Sequence, residues 1–236
     1  MSQVNNVFLA GLAASIGAVA GAQEGYTVVQ SPPTNEATHA EILAGALGGT
    51  FNENGLGLSN GTISAVRNID SAAFENNDQN WAPGTYNAKI VAHESAGRSL
   101  FGFATGSDGG EGDGGFLDFH ALLNTSDIGS SVTVQIPEQF RWALQLGNST
   151  NGHVYTSRES DNNGLDVMVS YTIRNEADKV IGMALFFEDR IIGSDRDFND
   201  VAVLLTLAPT PQSALLGMLG LGGLGAAAGR RRRPIT

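Results

Sequence analysis

From Thr62 to Leu207 the chain never stays apolar for long. Each hydrophobic stretch is soon cut off by a cluster of Gly, Asn, Asp, Ser or Thr. Those residues close turns, because Gly reaches left-handed backbone and Asn, Asp and Ser bond their own main chain. Short apolar runs between such turns leave room for strands rather than long helices. The stretches Thr62–Ile69, Thr85–His93, Ser99–Ala104, Phe116–Leu122, Ser131–Ile136, Arg141–Leu146, His153–Arg158, Asp166–Arg174, Val180–Phe187 and Val201–Leu207 read as strands. Several alternate, as in Val132-Thr133-Val134-Gln135-Ile136, the pattern of a strand with one buried face. The pattern predicts an all-β body over residues 23–208, a single β-sandwich or jelly-roll-like domain. One helix is expected at Glu36–Leu47, capped by Thr34 or Asn35 and stopped by Gly48-Gly49. Val180–Phe187 and Val201–Leu207, the most hydrophobic runs of the body, are expected as two central strands joined by an acidic loop.

Composition removes several classes of function. The chain has no cysteine, which excludes thiol nucleophiles, zinc-thiolate sites, iron–sulfur clusters and disulfide staples. Thirteen Lys and Arg stand against 24 Asp and Glu, and four of those Arg sit in one terminal run. The body is therefore more acidic than the formal net charge of −11. Such a surface repels nucleic acid and attracts divalent cations. The four histidines, His39, His93, His120 and His153, lack metal-ligand spacing and are expected on surfaces or strand edges. No nucleophile elbow or phosphate-binding glycine motif is present, and the chain is read as non-enzymatic.

Both ends read as processing segments. Residues 1–22 form a short apolar stretch closing on Ala20-Gly21-Ala22, the A-x-A form of a signal-peptidase site and an expected signal helix. Residues 209–236 begin Pro209-Thr210-Pro211, continue as an apolar stretch from Ala214 to Ala228, and reach Arg230-Arg231-Arg232-Arg233. The apolar part is shorter than the ~20 residues that span a bilayer comfortably. Arginines after an apolar segment tend to stay in the cytoplasm, which leaves the body outside. The tail resembles the PEP-CTERM sorting signal of Gram-negative bacteria: a proline-containing motif, a hydrophobic helix and an arginine cluster. The resemblance implies processing by a membrane-embedded exosortase, transient membrane contact through the tail helix, and delivery to the cell envelope or extracellular matrix.

The chemistry concentrates between the last two strands, in Phe187-Glu188-Asp189-Arg190-Ile191-Ile192-Gly193-Ser194-Asp195-Arg196-Asp197-Phe198-Asn199-Asp200. Asp195, Asp197 and Asn199 alternate, so their oxygens can converge on one hard cation. Glu188, Asp189 and Asp200 could complete an oxygen shell. Carboxylates so crowded repel unless something neutralises them, and the choices are calcium or the guanidinium groups of Arg190 and Arg196. An EF-hand is excluded, because no Gly follows Asn199 and a strand, not a helix, comes next. The stretch resembles the signature of the DUF4114 family: Phe187-Glu188-Asp189, Gly193, then Asp195-Arg196-Asp197-Phe198-Asn199-Asp200. Upstream, Asn163-Gly164-Leu165-Asp166-Val167-Met168-Val169-Ser170-Tyr171 is similar to a second segment of that family, and the resemblance covers about residues 154–207. It implies an extracellular module of surface or adhesin-like proteins.

Asp161 and Asp166 would add oxygens to the cation if the two segments meet in space. A second acidic stretch, Gly106–Gly115, reads as a glycine-rich loop whose Asp108, Glu111 and Asp113 bind calcium weakly at most. The leading expectation is an exported structural or adhesion-type protein with a calcium-stabilised loop. One alternative is a carbohydrate-binding module that presents Trp81, Trp142 or Tyr155 to extracellular polysaccharide. Another is a glycan hydrolase using Glu188 and Asp195 as its acid and base.

Overall fold

The computed structural model describes residues 27–55, 57–68, 80–106, 118–147, 153–190 and 194–207. The signal segment, the sorting tail and the glycine-rich stretch beyond Gly106 lie outside the described residues. The order is α1 (His39–Leu47), β1 (Asn52–Asn54), β2 (Gly57–Ser59), β3 (Ile63–Arg67), β4 (Gly84–His93), β5 (Ser99–Thr105), β6 (Asp118–Asn124), β7 (Ser131–Ile136), β8 (Arg141–Leu146), β9 (Val154–Thr156), a 3₁₀ turn (Glu159–Asn162), β10 (Met168–Asn175), β11 (Val180–Phe187) and β12 (Val201–Leu207). The strands form two antiparallel sheets, one ordered β1-β2-β3-β10-β11-β12-β4-β7 and the other β6-β5-β8-β9. The all-β expectation holds, and β11 and β12 pair side by side within the larger sheet.

Period-two alternation sends neighbouring residues of the central strands to opposite faces, and here both faces are covered. Leu185, Phe187, Val201, Val203 and Leu205 point toward the smaller sheet, where they meet Phe101, Phe103, Trp142 and Leu144. Ala184, Phe186 and Ala202 point the other way into a second core with Ile42 and Leu43 of α1, Phe51, Leu58, Tyr171 and Phe198. Two-sided burial explains why Val180–Phe187 reads as a continuous apolar run rather than an alternating one. Each large side chain so buried contributes about 1.5–3 kcal/mol. Gly102 stands where a neighbouring strand passes so closely that a Cβ would lie 2.1 Å from the His120 carbonyl oxygen.

Two local expectations are corrected. The helix starts at His39, capped by Thr38 rather than Thr34 or Asn35. Glu41 stands three residues after Thr38 and completes a capping box: the Glu41 amide donates to Thr38 Oγ1 at 3.2 Å, and the Thr38 amide to Glu41 Oε2 at 2.8 Å. The preceding residues form a turn, with the Glu36 amide donating to Pro33 O. The hairpin of β1 and β2 was not expected, since its strands are three residues long and largely polar. Among the described residues no helix is long and apolar enough to cross a membrane.

Candidate cation site

The loop between β11 and β12 is braced at its base. Phe187 and Val201 pair directly, so Glu188 to Asp200 form the connection. Glu188 is only 2% exposed. Its Oε1 accepts from the Phe198 amide at 2.8 Å and its Oε2 from the Ser194 hydroxyl at 2.7 Å. The Asp189 amide donates to Asp200 Oδ2 at 2.8 Å, and the Ser95 hydroxyl donates to Asp189 Oδ2. Burial, with the charges of Asp189 and Glu188, pushes the Asp200 carboxyl up to about 7. Glu188, Asp189 and Asp200 thus tie the loop to itself and to the β4 end of the sheet.

That bracing imposes an alternating backbone on the residues between. Arg196 and Phe198 adopt left-handed φ values of 58° and 56°, which non-glycine residues rarely take. Phe198 enters the second core, and its carbonyl accepts from His39 Nε2 at 3.1 Å. The other imidazole nitrogen, Nδ1, accepts from the Tyr171 hydroxyl at 3.0 Å, and the ring stacks on Phe186 at 3.9 Å. His39 is therefore a core residue, contrary to the expectation of a surface position, and burial drops its pKa to about 4 and keeps it neutral.

With Phe198 inward, Asp195, Asp197 and Asn199 turn together toward the segment that leads into α1. One carboxylate oxygen each from Glu36, Asp195 and Asp197 lies within 4.8 Å of the others. Calcium bonds oxygen at about 2.3–2.6 Å, so two ligands on opposite sides of one ion stand roughly that far apart. Asp197 Oδ1 accepts from the Asn199 amide at 3.3 Å, whereas Oδ2 is buried without a hydrogen-bond partner. Asn199 Nδ2 donates to Ala37 O at 3.0 Å and sits 3.5 Å from Glu36 Oε2, leaving its buried Oδ1 unpartnered too. Both residues are almost wholly buried, at 2% and 1% exposure. Buried oxygens ordinarily find a donor, and these two lie among carboxylates that offer none. Burial foremost, then the charges of Asp195, Glu188 and Glu36, pushes the Asp197 carboxyl up to about 6. All-oxygen donors, partly anionic and short of positive charge, fit a hard divalent cation.

The arginines do not supply that charge. Arg190 Nε lies 3.5 Å from Asp189 Oδ1 with its side chain mostly exposed, and exposed pairs of this kind are weak. Among the described residues no Lys or Arg side chain forms an ion pair with Glu36, Asp195 or Asp197.

The six loop residues expected around one cation therefore divide. Asp195 and Asp197 converge with Glu36, and Asn199 lies beside them with its Nδ2 toward Ala37 O and Glu36, while Glu188, Asp189 and Asp200 lie outside the grouping as braces. Asp161 and Asp166 are outside it as well. Asp161 Oδ2 lies 3.3 Å from Arg141 Nε and accepts from the Thr156 hydroxyl at 2.7 Å, and Asp166 Oδ1 accepts from the Met168 amide. Glu36 was missed, since it stands far upstream in a stretch with no acidic pattern of its own. Trp81, Trp142 and Tyr155, the candidates of the alternative carbohydrate-binding reading, are buried at 6%, 0% and 9% exposure. They pack into the hydrophobic interior, with Trp142 stacked on Phe101 at 5.2 Å.

No family model matches this chain, and no curated protein or solved structure does so either.

Proposed function

We propose that this chain is an exported, non-catalytic structural or adhesion-type protein of the cell envelope or extracellular matrix, whose fold is clamped by one calcium ion. Export, exosortase processing and transient membrane contact rest on the A-x-A site at Ala20 and Ala22, the Pro209-Thr210-Pro211 motif and the arginine run. The DUF4114-like stretch supports an extracellular module. The observation that carries the clamp is the pair of buried, unpartnered oxygens of Asp197 and Asn199 beside the carboxylates of Glu36 and Asp195. Glu36 belongs to the segment before α1 and the other ligands to the last loop, so the ion would join two ends of the described chain. In a protein without cysteine, that ion takes the place of a covalent staple. Against a hydrolase, Glu188 is buried with both oxygens engaged.

The test is thermal melting of the full chain in chelator and in excess calcium, beside Asp197→Asn and Glu36→Gln. An ion held at 100 times its dissociation constant adds about 2.7 kcal/mol, or roughly 5–10 °C for a domain of this size. Both variants are expected to lose that rise. No rise in the unsubstituted chain would end the cation reading, and a full rise in Glu36→Gln would remove the clamp between segments.

A further inference from the structure

Among the described residues, the four sheet edges are not equally protected. A sheet edge exposes unpaired amides and carbonyls, and proteins blunt it with short strands, charges, proline or bulges. β1 is three residues long and carries Glu53, and β9 is three residues long. β6 carries Asp118 and His120, and its register against β5 shifts at Phe101/Gly102. β7 has none of these devices. Its six residues, Ser131 to Ile136, contain no charge, glycine or proline. Its register against β4 runs unbroken from Gly84↔Ile136 to Lys89↔Ser131. Val and Thr, which favour strands, supply half of it. Among the described residues β4 is the only strand bonded to β7.

We propose that β7 is a homotypic docking edge, pairing antiparallel with β7 of a second copy about a two-fold axis. The two eight-stranded sheets would then run on as one. The occupant follows from charge and symmetry. The chain is acidic, with a formal net charge of −11, so two copies approach with least repulsion along an uncharged edge. An antiparallel strand is complementary to itself, and a two-fold contact closes at two copies. The pairing carries exposed Glu138, just past the end of each strand, toward the other copy's end where exposed Lys89 faces Ser131. Ile128, a large apolar side chain 61% exposed in the turn before β7, lies at that same end, where a neighbouring strand would cover it. A six-residue pairing falls short of the ~1,200 Å² of a stable interface, so the dimer is weak and depends on concentration. This inference is independent of the cation.

The absence of cysteine makes the test direct, because an introduced thiol is the only one present. Single cysteines replace Val132, Thr133, Val134 and Gln135 in the full chain, with Val66→Cys, exposed on β3, as a control away from the edge. The variants are oxidised alone and in mixed pairs, and dimers are followed by sedimentation. In an antiparallel self-pair, facing residues sum to one constant, so the combinations that share that sum should cross-link several-fold faster than the others and the control. Thr133→Lys, at an exposed position, gives up only the bond its hydroxyl accepts from Asn87 Nδ2 at 3.0 Å and should leave the chain monomeric with a melting temperature lowered by no more than about 4 °C. The proposal is overturned if the unsubstituted chain stays monomeric at high concentration. It is equally overturned if Thr133→Lys dimerises undiminished, or if no edge cysteine outpaces Val66→Cys.

Discussion

Replacing Glu188 separates the two parts a buried carboxylate can play at the head of this loop. Glu188→Ala strips the buried Phe198 amide of its acceptor and the Ser194 hydroxyl of its own. A buried donor left without a partner costs about 1–3 kcal/mol. The second lost bond and the small void bring the total to roughly 3–4 kcal/mol. Glu188→Gln behaves differently. Its amide oxygen still accepts from Phe198, and the Ser194 hydroxyl turns to accept from the new NH₂. It also removes a negative charge that burial and the nearby charges of Asp195 and Asp189 disfavour, as the raised pKa of Glu188 records. The net change should stay within about 1 kcal/mol. At roughly 2–4 °C per kcal/mol for a domain of this size, the alanine variant should melt about 6–16 °C lower and the glutamine variant near the parent. Calorimetric scans of the full chain in chelator and in calcium provide the measurement, and the calcium-induced rise should persist in Glu188→Gln. If Glu188→Gln instead lost that rise, Glu188 would be a ligand rather than a brace, and the division of the acidic loop would be wrong.

Two further outcomes bear on the same groups. In chelator, the folded state holds protons on Asp197 up to about 6 and on Asp200 up to about 7, whereas an ordinary Asp releases them near 3.8. Stability in chelator should therefore fall as pH climbs from about 4 to about 7, and the calcium-induced rise should grow over that window as protons stop competing. His39, neutral in the fold down to about 4 against 6.5 unfolded, works in the opposite direction, since its contribution is lost as pH falls between those values. A chelator melting temperature that climbed steadily from pH 5 to 7, at unchanged ionic strength, would contradict the dominance of the two carboxyls. Separately, Asp161→Ala takes a carboxylate from the buried Arg141 guanidinium. It should cost roughly 3–5 kcal/mol yet leave the calcium response intact, and a lost response would place Asp161 at the ion.

Strand positions were legible where one rule sufficed. β7 alternates and β11 is continuously apolar, so the boundaries expected for both match. The β1–β2 hairpin was not legible, because its three-residue polar strands carry no period. It exists through its pairing with β3 and the burial of Leu58. At the site, the alternation pointed to Asp195 and Asp197, whose carboxylates gather with that of Glu36. What it could not carry was Glu36, whose neighbourhood is set by how α1 packs across the sheet. Nor could spacing separate the gathered carboxylates from the braces, since Glu188 and Asp197 are the same chemistry in different hydrogen-bond surroundings. The aromatics misled for a similar reason. A Trp in an alternating strand is as suited to a core as to a sugar platform, and only the opposing sheet decides.

The order of the larger sheet also governs when the protein can fold. β3 and β4 follow one another in the sequence, yet β10, β11 and β12 lie between them in the sheet. A chain emerging from its N-terminus thus has both strands at hand with nothing to put between them until residues 168–207 appear. Loop closure over such separations makes pairing slow, and until then β3 and β4 are free to pair wrongly with each other. The final hairpin is the keystone: a chain cut off before it would keep the turns and edges of this fold but have no middle.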